Sequence, residues 1–262
     1  MKILFVGDIV GKPGRVAVRV FVPVLRERHG LDLCVGNSEN SAGGAGITPE
    51  SADELLESGL DLLTAGNHTW NRREVFSYLD RPGSRQLRPA NYPKGAPGRG
   101  HGVLATSDGR KLGVVNVEGR VFMKSIDCPF RAAERLVEEL RRETPCILVD
   151  VHCEATSEKQ AMGWFLDGRV SAVLGTHTHV QTADERILPG GTAFQTDVGM
   201  CGPWDGVIGM KKESALERFL TGRPSPYEVA NGEAVLQGAI VDIDDATGQA
   251  RSIVRVRERL AG

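Results

Sequence analysis

Five short polar segments of the chain contain side chains that commonly bind metal ions. They read GDIV, GNSEN, AGNHTW, DVHCE and GTHTH, and each follows a run rich in Val, Ile and Leu. Their candidate ligands are carboxylates, amide oxygens and imidazoles, from Asp8, Glu39, Asn40, Asn67, His68, His152, His177 and His179. Oxygen and nitrogen donors without thiolate suit Mn, Fe or Zn. The joint pattern therefore predicts a metal centre, although each segment alone is more often structural.

The number of donors indicates two ions. All of the candidates except His68 together exceed what one ion usually binds, and a bridging carboxylate, here Glu39, would hold two ions about 3.5–4 Å apart. Such a pair could share one hydroxide and stabilise the entering and leaving oxygens of an in-line attack on phosphorus. We expect two divalent or mixed-valence ions, Fe or Mn or both, with Zn as the alternative. The predicted reaction is phosphoester hydrolysis.

His68 has a different predicted role, because Asn67 already offers a ligand oxygen from the adjacent position. A residue beside a ligand can point over the open face and reach the substrate. There an imidazole would stabilise the phosphoryl charge or protonate the leaving oxygen near neutral pH. We predict that His68 is catalytic; the alternative, that it is a further ligand, stays open at this point.

The glycine-rich start, GDIVGKPGR, is not a phosphate-binding P-loop. That motif is G-x-x-x-x-G-K-[ST], whereas Gly7 and Gly11 are too close together and Pro13 stands in place of the hydroxyl residue. We assign the chemistry of this segment to Asp8 instead. The glycines around it are expected to allow a tight turn and close approach of the backbone to the site.

The elements that would position these residues alternate between strand and helix. Strands are predicted at residues 2–6, 31–35, 60–64, 146–151 and 170–174, and helices at 15–30, 51–59, 130–143 and 157–169. Three segments, 102–119, 185–196 and 234–260, have the turn residues of antiparallel hairpins. This pattern predicts a layered α/β protein with two packed mixed sheets. Because parallel strands end at the same rim, the five strand ends would converge there.

Composition limits the partners and the number of domains. The chain has 262 residues, and we expect residues 1–262 to form one domain. The net charge of −2, from 32 basic and 34 acidic residues, suggests neither a nucleic-acid duplex nor a membrane surface as partner. No apolar run is long enough to span a bilayer. A small substrate is expected.

The cysteines indicate the compartment. There are five of them, Cys34, Cys128, Cys146, Cys153 and Cys201, which is an odd number, and they form no C-x-x-C pair. This pattern favours reduced thiols, mostly small core residues, over a disulfide framework or a zinc ribbon. We expect a cytoplasmic protein.

In order and type, the five motifs resemble those of the calcineurin-like metallophosphoesterases, over Asp8 to His179. There are two differences: Val10 stands where that superfamily commonly has His, and Glu39 followed by Asn40 replaces the usual bridging Asp. Both differences are similar to the bacterial YmdB-type branch. The segments HCEATSEKQAMG and QTDVGMCGPWDGVIG are similar to that branch as well and extend the resemblance to Gly209.

This resemblance implies a single metallophosphoesterase domain, an αββα sandwich of two mixed β-sheets flanked by helices. It implies one metal bound by Asp8, Glu39, Asn40 and His179, and a second bound by Glu39, Asn67, His152 and His177. It gives His68 the catalytic role. It also implies hydrolysis of a small phosphodiester or cyclic nucleotide, notably a 2′,3′-cyclic monophosphate, and assembly into a homo-oligomer.

Two other functions fit parts of the pattern. An amidohydrolase also uses an H-x-H pair, but those barrels place it after their first strand, whereas His177 and His179 follow the fifth predicted strand. A metal-dependent binding or regulatory protein would keep the ligands and show little turnover. The presence of His68 argues against that second alternative without excluding it.

Overall fold

The computed structural model describes residues 1–260, which form two mixed β-sheets and six helices. The strands are β1 Lys2–Val6, β2 Asp8–Ile9, β3 Leu33–Asn37, β4 Leu62–Thr64, β5 His101–Ala105, β6 Lys111–Glu118, β7 Ile147–His152, β8 Ala172–Thr176, β9 Arg186–Ile187, β10 Ala193–Gln195, β11 Met200–Pro203, β12 Ala234–Ile243 and β13 Ala250–Leu260. The helices are α1 Gly11–His29, α2 Pro49–Glu57, α3 Val75–Leu79, α4 Pro129–Leu140, α5 Thr156–Leu166 and α6 Lys212–Thr221.

Each sheet combines parallel and antiparallel pairs. The first has the order β2-β11-β12-β1-β3-β4, and β13 also pairs with β12. Its β1, β3 and β4 are parallel to one another, whereas β12 is antiparallel to β1. The second has the order β5-β6-β7-β8-β10-β9, with a parallel centre and antiparallel edge strands. The three predicted hairpins are confirmed as β5–β6, β9–β10 and β12–β13.

Side-chain alternation along the strands divides the core into layers. In β1, Ile3 and Phe5 face the second sheet and join a core that includes Leu148 of β7. The alternate residues of β1, among them Leu4, pack under helices α1 and α2. The opposite face of the second sheet packs against α4 and α5. The order is therefore helices, sheet, sheet, helices, and the predicted αββα sandwich is confirmed.

Local signals explain several helix ends. Thr48 caps α2 by accepting a hydrogen bond from Ser51 N–H at 3.3 Å, and Pro49 occupies the first turn, where its missing N–H is not needed. Helix α1 ends at Gly30, which adopts the left-handed conformation that such helix ends require. The predicted helices 15–30, 51–59, 130–143 and 157–169 correspond to α1, α2, α4 and α5.

Several predicted boundaries were wrong. The strands predicted at 31–35 and 60–64 begin too early, since β3 begins at Leu33 and β4 at Leu62. Leu31 and Leu60 are buried, but their N–H groups bond to carbonyl oxygens of the preceding helices, at 3.0 and 3.3 Å. These apolar residues close a helix end, which a hydrophobic pattern cannot distinguish from a strand start. The strand predicted at 170–174 is shifted in the same direction relative to β8.

Four elements were not predicted from the sequence. Helices α3 and α6 and strands β2 and β11 lie where no regular element was predicted. Strand β11 is a buried segment, Met200–Pro203, whose sequence contains Gly and Pro and therefore resembles a loop. It is a strand because it pairs with β2 on one side and β12 on the other. These contacts are distant along the chain, so no local signal could reveal them.

The architecture also decides between two of the expected functions. The two stacked sheets are unlike the closed eight-stranded barrel of an amidohydrolase, and that alternative was therefore wrong.

Among the helices of residues 1–260, none has both the length and the apolar composition that a bilayer span requires.

Candidate metal centre

The predicted ligands converge at one rim of the sandwich, but not in the way expected from a single parallel sheet. Strands β1, β3 and β4 belong to the first sheet, whereas β7 and β8 belong to the second. The ligands of both sheets meet because the sheets stack face to face with their carboxyl ends on the same side. Asp8 follows β1 as predicted and also begins the short strand β2, whereas His152 is the last residue of β7 and does not lie beyond its strand as predicted.

Four of the predicted ligands surround one point. His152 Nε2 lies 3.0 Å from Asn67 Oδ1, 3.1 Å from Glu39 Oε1 and 3.1 Å from His177 Nδ1. Donor atoms bound to one ion at about 2.0–2.2 Å are themselves about 2.8–3.6 Å apart in octahedral or tetrahedral geometry. One ring nitrogen cannot hydrogen-bond to all three neighbours with a single proton. The spacing of these four atoms therefore fits a metal ion.

A second group of predicted ligands adjoins the first. Asp8 Oδ1 lies 3.7 Å from His152 Nδ1, and Asp8 Oδ2 accepts a hydrogen bond from His177 N–H at 2.9 Å. The Asn40 carbonyl oxygen accepts from Gly11 N–H at 2.9 Å, which ties Asn40 to the turn that follows Asp8. His179 Nδ1 lies 2.9 Å from the Ile208 carbonyl oxygen, so Nε2 is the ring nitrogen of His179 that remains available to bind a metal ion.

Buried oxygens without partners support the same interpretation. Asp8 Oδ1, Glu39 Oε1 and Asn40 Oδ1 are buried and have no hydrogen-bond partner within residues 1–260. Such atoms are rare in folded proteins, because each loses its water without gaining a replacement. A cation between them would supply the missing interaction. The residues present therefore fit a metal centre, and they include no cysteine.

Burial and contact with His152 shift the pKa values of the neighbouring groups in the cluster. Burial raises the pKa of Asp8, whereas at Glu39 the adjacent His152 outweighs the effect of burial and lowers the pKa. Burial alone would lower the pKa of His152, but the Glu39 carboxylate raises it to about 9. Burial and the neighbouring His152 lower the pKa of His177 to about 3. A metal ion would take the place of the His152 proton as the compensating charge.

A chain of buried hydrogen bonds orients His152. Thr176 Oγ1 donates to Asp150 Oδ1 at 2.8 Å and lies 2.9 Å from His152 Nδ1, from which it accepts. Asn37 Nδ2 donates to Asp150 Oδ2 at 3.0 Å. This arrangement turns Nε2 of His152 towards the other ligands. Asp150 was missed as a site residue, although it lies two positions before His152 on the same face of β7.

His68 lies at the edge of the cluster. Its backbone N–H donates to Glu39 Oε2 at 3.0 Å, and Asn71 Nδ2 lies 3.0 Å from His68 Nδ1. When Asn71 donates to Nδ1, the ring proton is on Nε2. The close set of atoms around His152 Nε2 does not include the His68 ring, which is half-buried and accessible to a substrate.

Glycines allow the backbone to approach the cluster closely. A Cβ at Gly66 would lie 2.2 Å from His152 Nε2 and 2.5 Å from Glu39 Oε2. A Cβ at Gly7 would lie 1.9 Å from the Gly199 carbonyl oxygen. Gly11 has a φ of 58° at the turn into α1. The predicted role of the glycines around Asp8 is confirmed, and Gly66 has a similar role beside Asn67.

The histidine pair of GTHTH is held in an uncommon backbone conformation. His177 has a φ of 90° and His179 a φ of 62°, values that few residues other than glycine adopt. Between them, Thr178 donates from its N–H and from its hydroxyl to Asp197 Oδ2, at 3.1 and 2.6 Å. Lys159 donates to the same carboxylate at 2.7 Å and to Thr178 Oγ1 at 3.0 Å. This buried ion pair therefore stabilises the turn that positions both histidines.

Removing Lys159 is expected to destabilise the protein strongly. The change Lys159→Met leaves Asp197 buried without its cation and is expected to lower the free energy of unfolding by about 3–5 kcal/mol. Urea denaturation measures this. The same substitution at Lys212, which pairs with Asp205 at the surface, is expected to leave the midpoint unchanged. Equal midpoints for the two variants would contradict the role assigned to the buried pair.

Comparison with known proteins gives matches over almost the whole chain. A profile described as YmdB-like protein matches residues 4–256. A 2′,3′-cyclic-nucleotide 2′-phosphodiesterase from Bacillus subtilis (strain 168) is 48% identical over 256 residues, covering 98% of this chain and 96% of that protein.

Solved structures agree with these sequence matches. The crystal structure of a hypothetical protein from Thermus thermophilus superposes with a TM-score of 0.92 at 44% identity, covering 99% of both chains. That of a novel phosphatase from Mycoplasma pneumoniae superposes with a TM-score of 0.92 at 32% identity, covering 99% of this chain and 93% of the other. The resemblance predicted from the motifs is confirmed, and the chain belongs to the YmdB-like protein family.

Proposed function

We propose that the protein is a metal-dependent phosphodiesterase that hydrolyses small phosphodiesters, specifically 2′,3′-cyclic nucleoside monophosphates. The observation that carries this proposal is the convergence at one rim of buried carboxylate and amide oxygens without hydrogen-bond partners and of imidazole nitrogens. The named activity of the Bacillus subtilis relative supports the substrate class. The net charge of the chain favours a small substrate over a nucleic-acid duplex or a membrane.

The proposed ligands form two overlapping sets. Glu39, Asn67, His152 and His177 would hold one ion, as the distances of about 3 Å from His152 Nε2 to the other three suggest. Asp8, Asn40 and His179, with Glu39 as the bridge, would hold the other. The donor set suits Mn or Fe, with Zn as the alternative. When bound, such ions would activate water and neutralise charge on the phosphate.

His68 would act directly on the substrate. Asn71 holds one ring nitrogen, and the Nε2 proton can then be given to the departing ribose oxygen when the phosphodiester bond breaks. The Glu39 carboxylate accepts the backbone N–H of His68 and so anchors the backbone of His68 beside the ligands. The reaction adds one water across the P–O bond and yields a nucleoside monophosphate.

Three further properties are proposed. Residues 1–262 would form one metallophosphoesterase domain. A cytoplasmic location suits the cysteines, which form no disulfide. A homo-oligomer is supported by exposed apolar side chains on α6, among them Leu216, Phe219 and Leu220.

A substrate panel tests the proposed function. Metal-stripped protein refilled with manganese is assayed against phosphomonoesters, linear diesters, and 2′,3′- and 3′,5′-cyclic nucleotides, beside the Asp8→Ala variant. We expect manganese-dependent cleavage of the 2′,3′-cyclic nucleotides, lost in the variant. Cleavage of monoesters alone would instead make the protein a phosphomonoesterase. An absence of turnover with two ions bound would favour the metal-dependent binding or regulatory protein.

A further inference from the structure

The loop that follows β6 contacts two residues of the candidate metal centre and the segment that follows His152. At its start, Gly119 N–H donates to the His152 carbonyl oxygen at 2.9 Å. At its other end, Lys124 Nζ donates to the Asn67 carbonyl oxygen at 3.1 Å. Between these, the Met123 sulfur accepts from Glu154 N–H at 3.3 Å. His152 and Asn67 are proposed ligands, so residues 119–124 cross the edge of the site.

Phe122 is the unexplained residue of this loop. Its side chain is 89% exposed, and its φ is 62°, in the region that non-glycine residues rarely adopt. An exposed aromatic ring in a strained backbone gains nothing for the fold. The Glu158 carboxylate holds the conformation by accepting from Arg120 N–H and Val121 N–H, at 3.1–3.2 Å.

The position of Phe122 limits what it can contact. Its Cα is two residues from that of Lys124, so the two Cα atoms are at most about 7 Å apart. The backbone of Phe122 is therefore close to that of the residue whose amino group reaches Asn67. A ligand whose phosphate lies at the metal centre would place the rest of its body near this loop. A flat aromatic group on that ligand could stack on the exposed ring.

We propose that Phe122 is a nucleobase-binding residue, which stacks on the base of a nucleotide whose phosphate lies at the metal centre. The proposal rests on the proposed function and deepens it. Lys124 has no carboxylate partner within the described residues and supplies a cation for the phosphate of the same nucleotide. Stacking is tolerant of base identity, so the subsite binds purines and pyrimidines alike.

The test compares ligands with and without a base on the manganese-loaded protein. KM is measured for 2′,3′-cyclic adenosine monophosphate and for the base-free 1-O-methylribose 2,3-cyclic phosphate. Calorimetry gives Kd for adenosine 3′-monophosphate and for inorganic phosphate, which requires no turnover. The variants are Phe122→Ala, Phe122→Tyr and the control Trp164→Ala, whose ring on α5 is 54% exposed.

In Phe122→Ala, we expect KM for the cyclic nucleotide and Kd for the nucleotide to rise by roughly 5- to 100-fold. KM for the base-free ester and Kd for phosphate stay within about twofold of the parent values, and Phe122→Tyr and Trp164→Ala match the parent protein. An equal loss for ligands with and without a base would overturn the proposal, as would no loss for either. If the parent protein turns over neither ester, the proposed function fails, and the calorimetric comparison still decides whether Phe122 binds a base.

Discussion

The His68→Ala variant is expected to retain both metal ions and to lose about 10²- to 10⁴-fold in kcat, the usual contribution of a general acid. The reason is geometric: the ring lies outside the close set of donors around His152 Nε2, the side chain is half-buried, and Asn71 contacts the other ring nitrogen, Nδ1. The measurement is kcat for a 2′,3′-cyclic nucleotide together with metal content by elemental analysis.

The control for this variant is His101→Ala. His101 begins β5, where it lies 3.7 Å from Glu139, outside the cluster. Its replacement is expected to leave both kcat and metal content unchanged. Loss of metal in His68→Ala would instead show that His68 is a ligand, the alternative that the sequence left open. An unchanged kcat would remove His68 from the chemistry altogether.

The Glu39→Gln variant is expected to lose more than any other single change at the site. Glu39 contacts His152 through Oε1 and His68 through Oε2, and as the proposed bridge it would be shared by both ions. The amide keeps the shape of the side chain but removes its charge. We expect metal content to fall by at least half and kcat/KM by about 10³-fold or more, because metal ions supply several kcal/mol to such reactions.

Thermal unfolding gives a second measurement for Glu39→Gln that is independent of turnover. Manganese stabilises a folded protein that binds it, so the Tm of the parent protein rises on addition of the metal. In Glu39→Gln this rise is expected to be small or absent. The control is Glu54→Gln, which removes a carboxylate that pairs with Arg15 outside the cluster. A full manganese-dependent rise in Glu39→Gln would rule out a bridging role.

Much of the site could be predicted from sequence because its residues are tied to local patterns. Asp8, Glu39, Asn67 and His177 each follow or begin a short apolar strand, and strands are recognisable from composition. The carboxyl ends of the parallel strands of one sheet share one rim, which brings Asp8, Glu39 and Asn67 together, whereas His177 joins them only because the two sheets stack. Helix ends such as Thr48 and Gly30 were equally local, because a cap depends only on its neighbours along the chain.

Other features of the site had no local signal. The buried pair of Lys159 and Asp197 joins α5 to the segment after β10, and a lysine in a helix is ordinarily exposed. Phe122 resembles a core residue in the sequence, but it is exposed because its loop is anchored by Glu158. Both features depend on contacts between residues far apart in sequence.

The sequence by itself determined the types and order of the candidate ligands and the family resemblance, and through that resemblance the αββα architecture. Only the tertiary structure decided that the ligands come from two stacked sheets, that β11 is a strand, and that His177 and His179 occupy a strained turn held by Lys159 and Asp197. The physical reason is the range of the interactions. Strand composition, helix caps and motif order act between near neighbours, whereas sheet stacking and buried ion pairs depend on segments that meet only after folding.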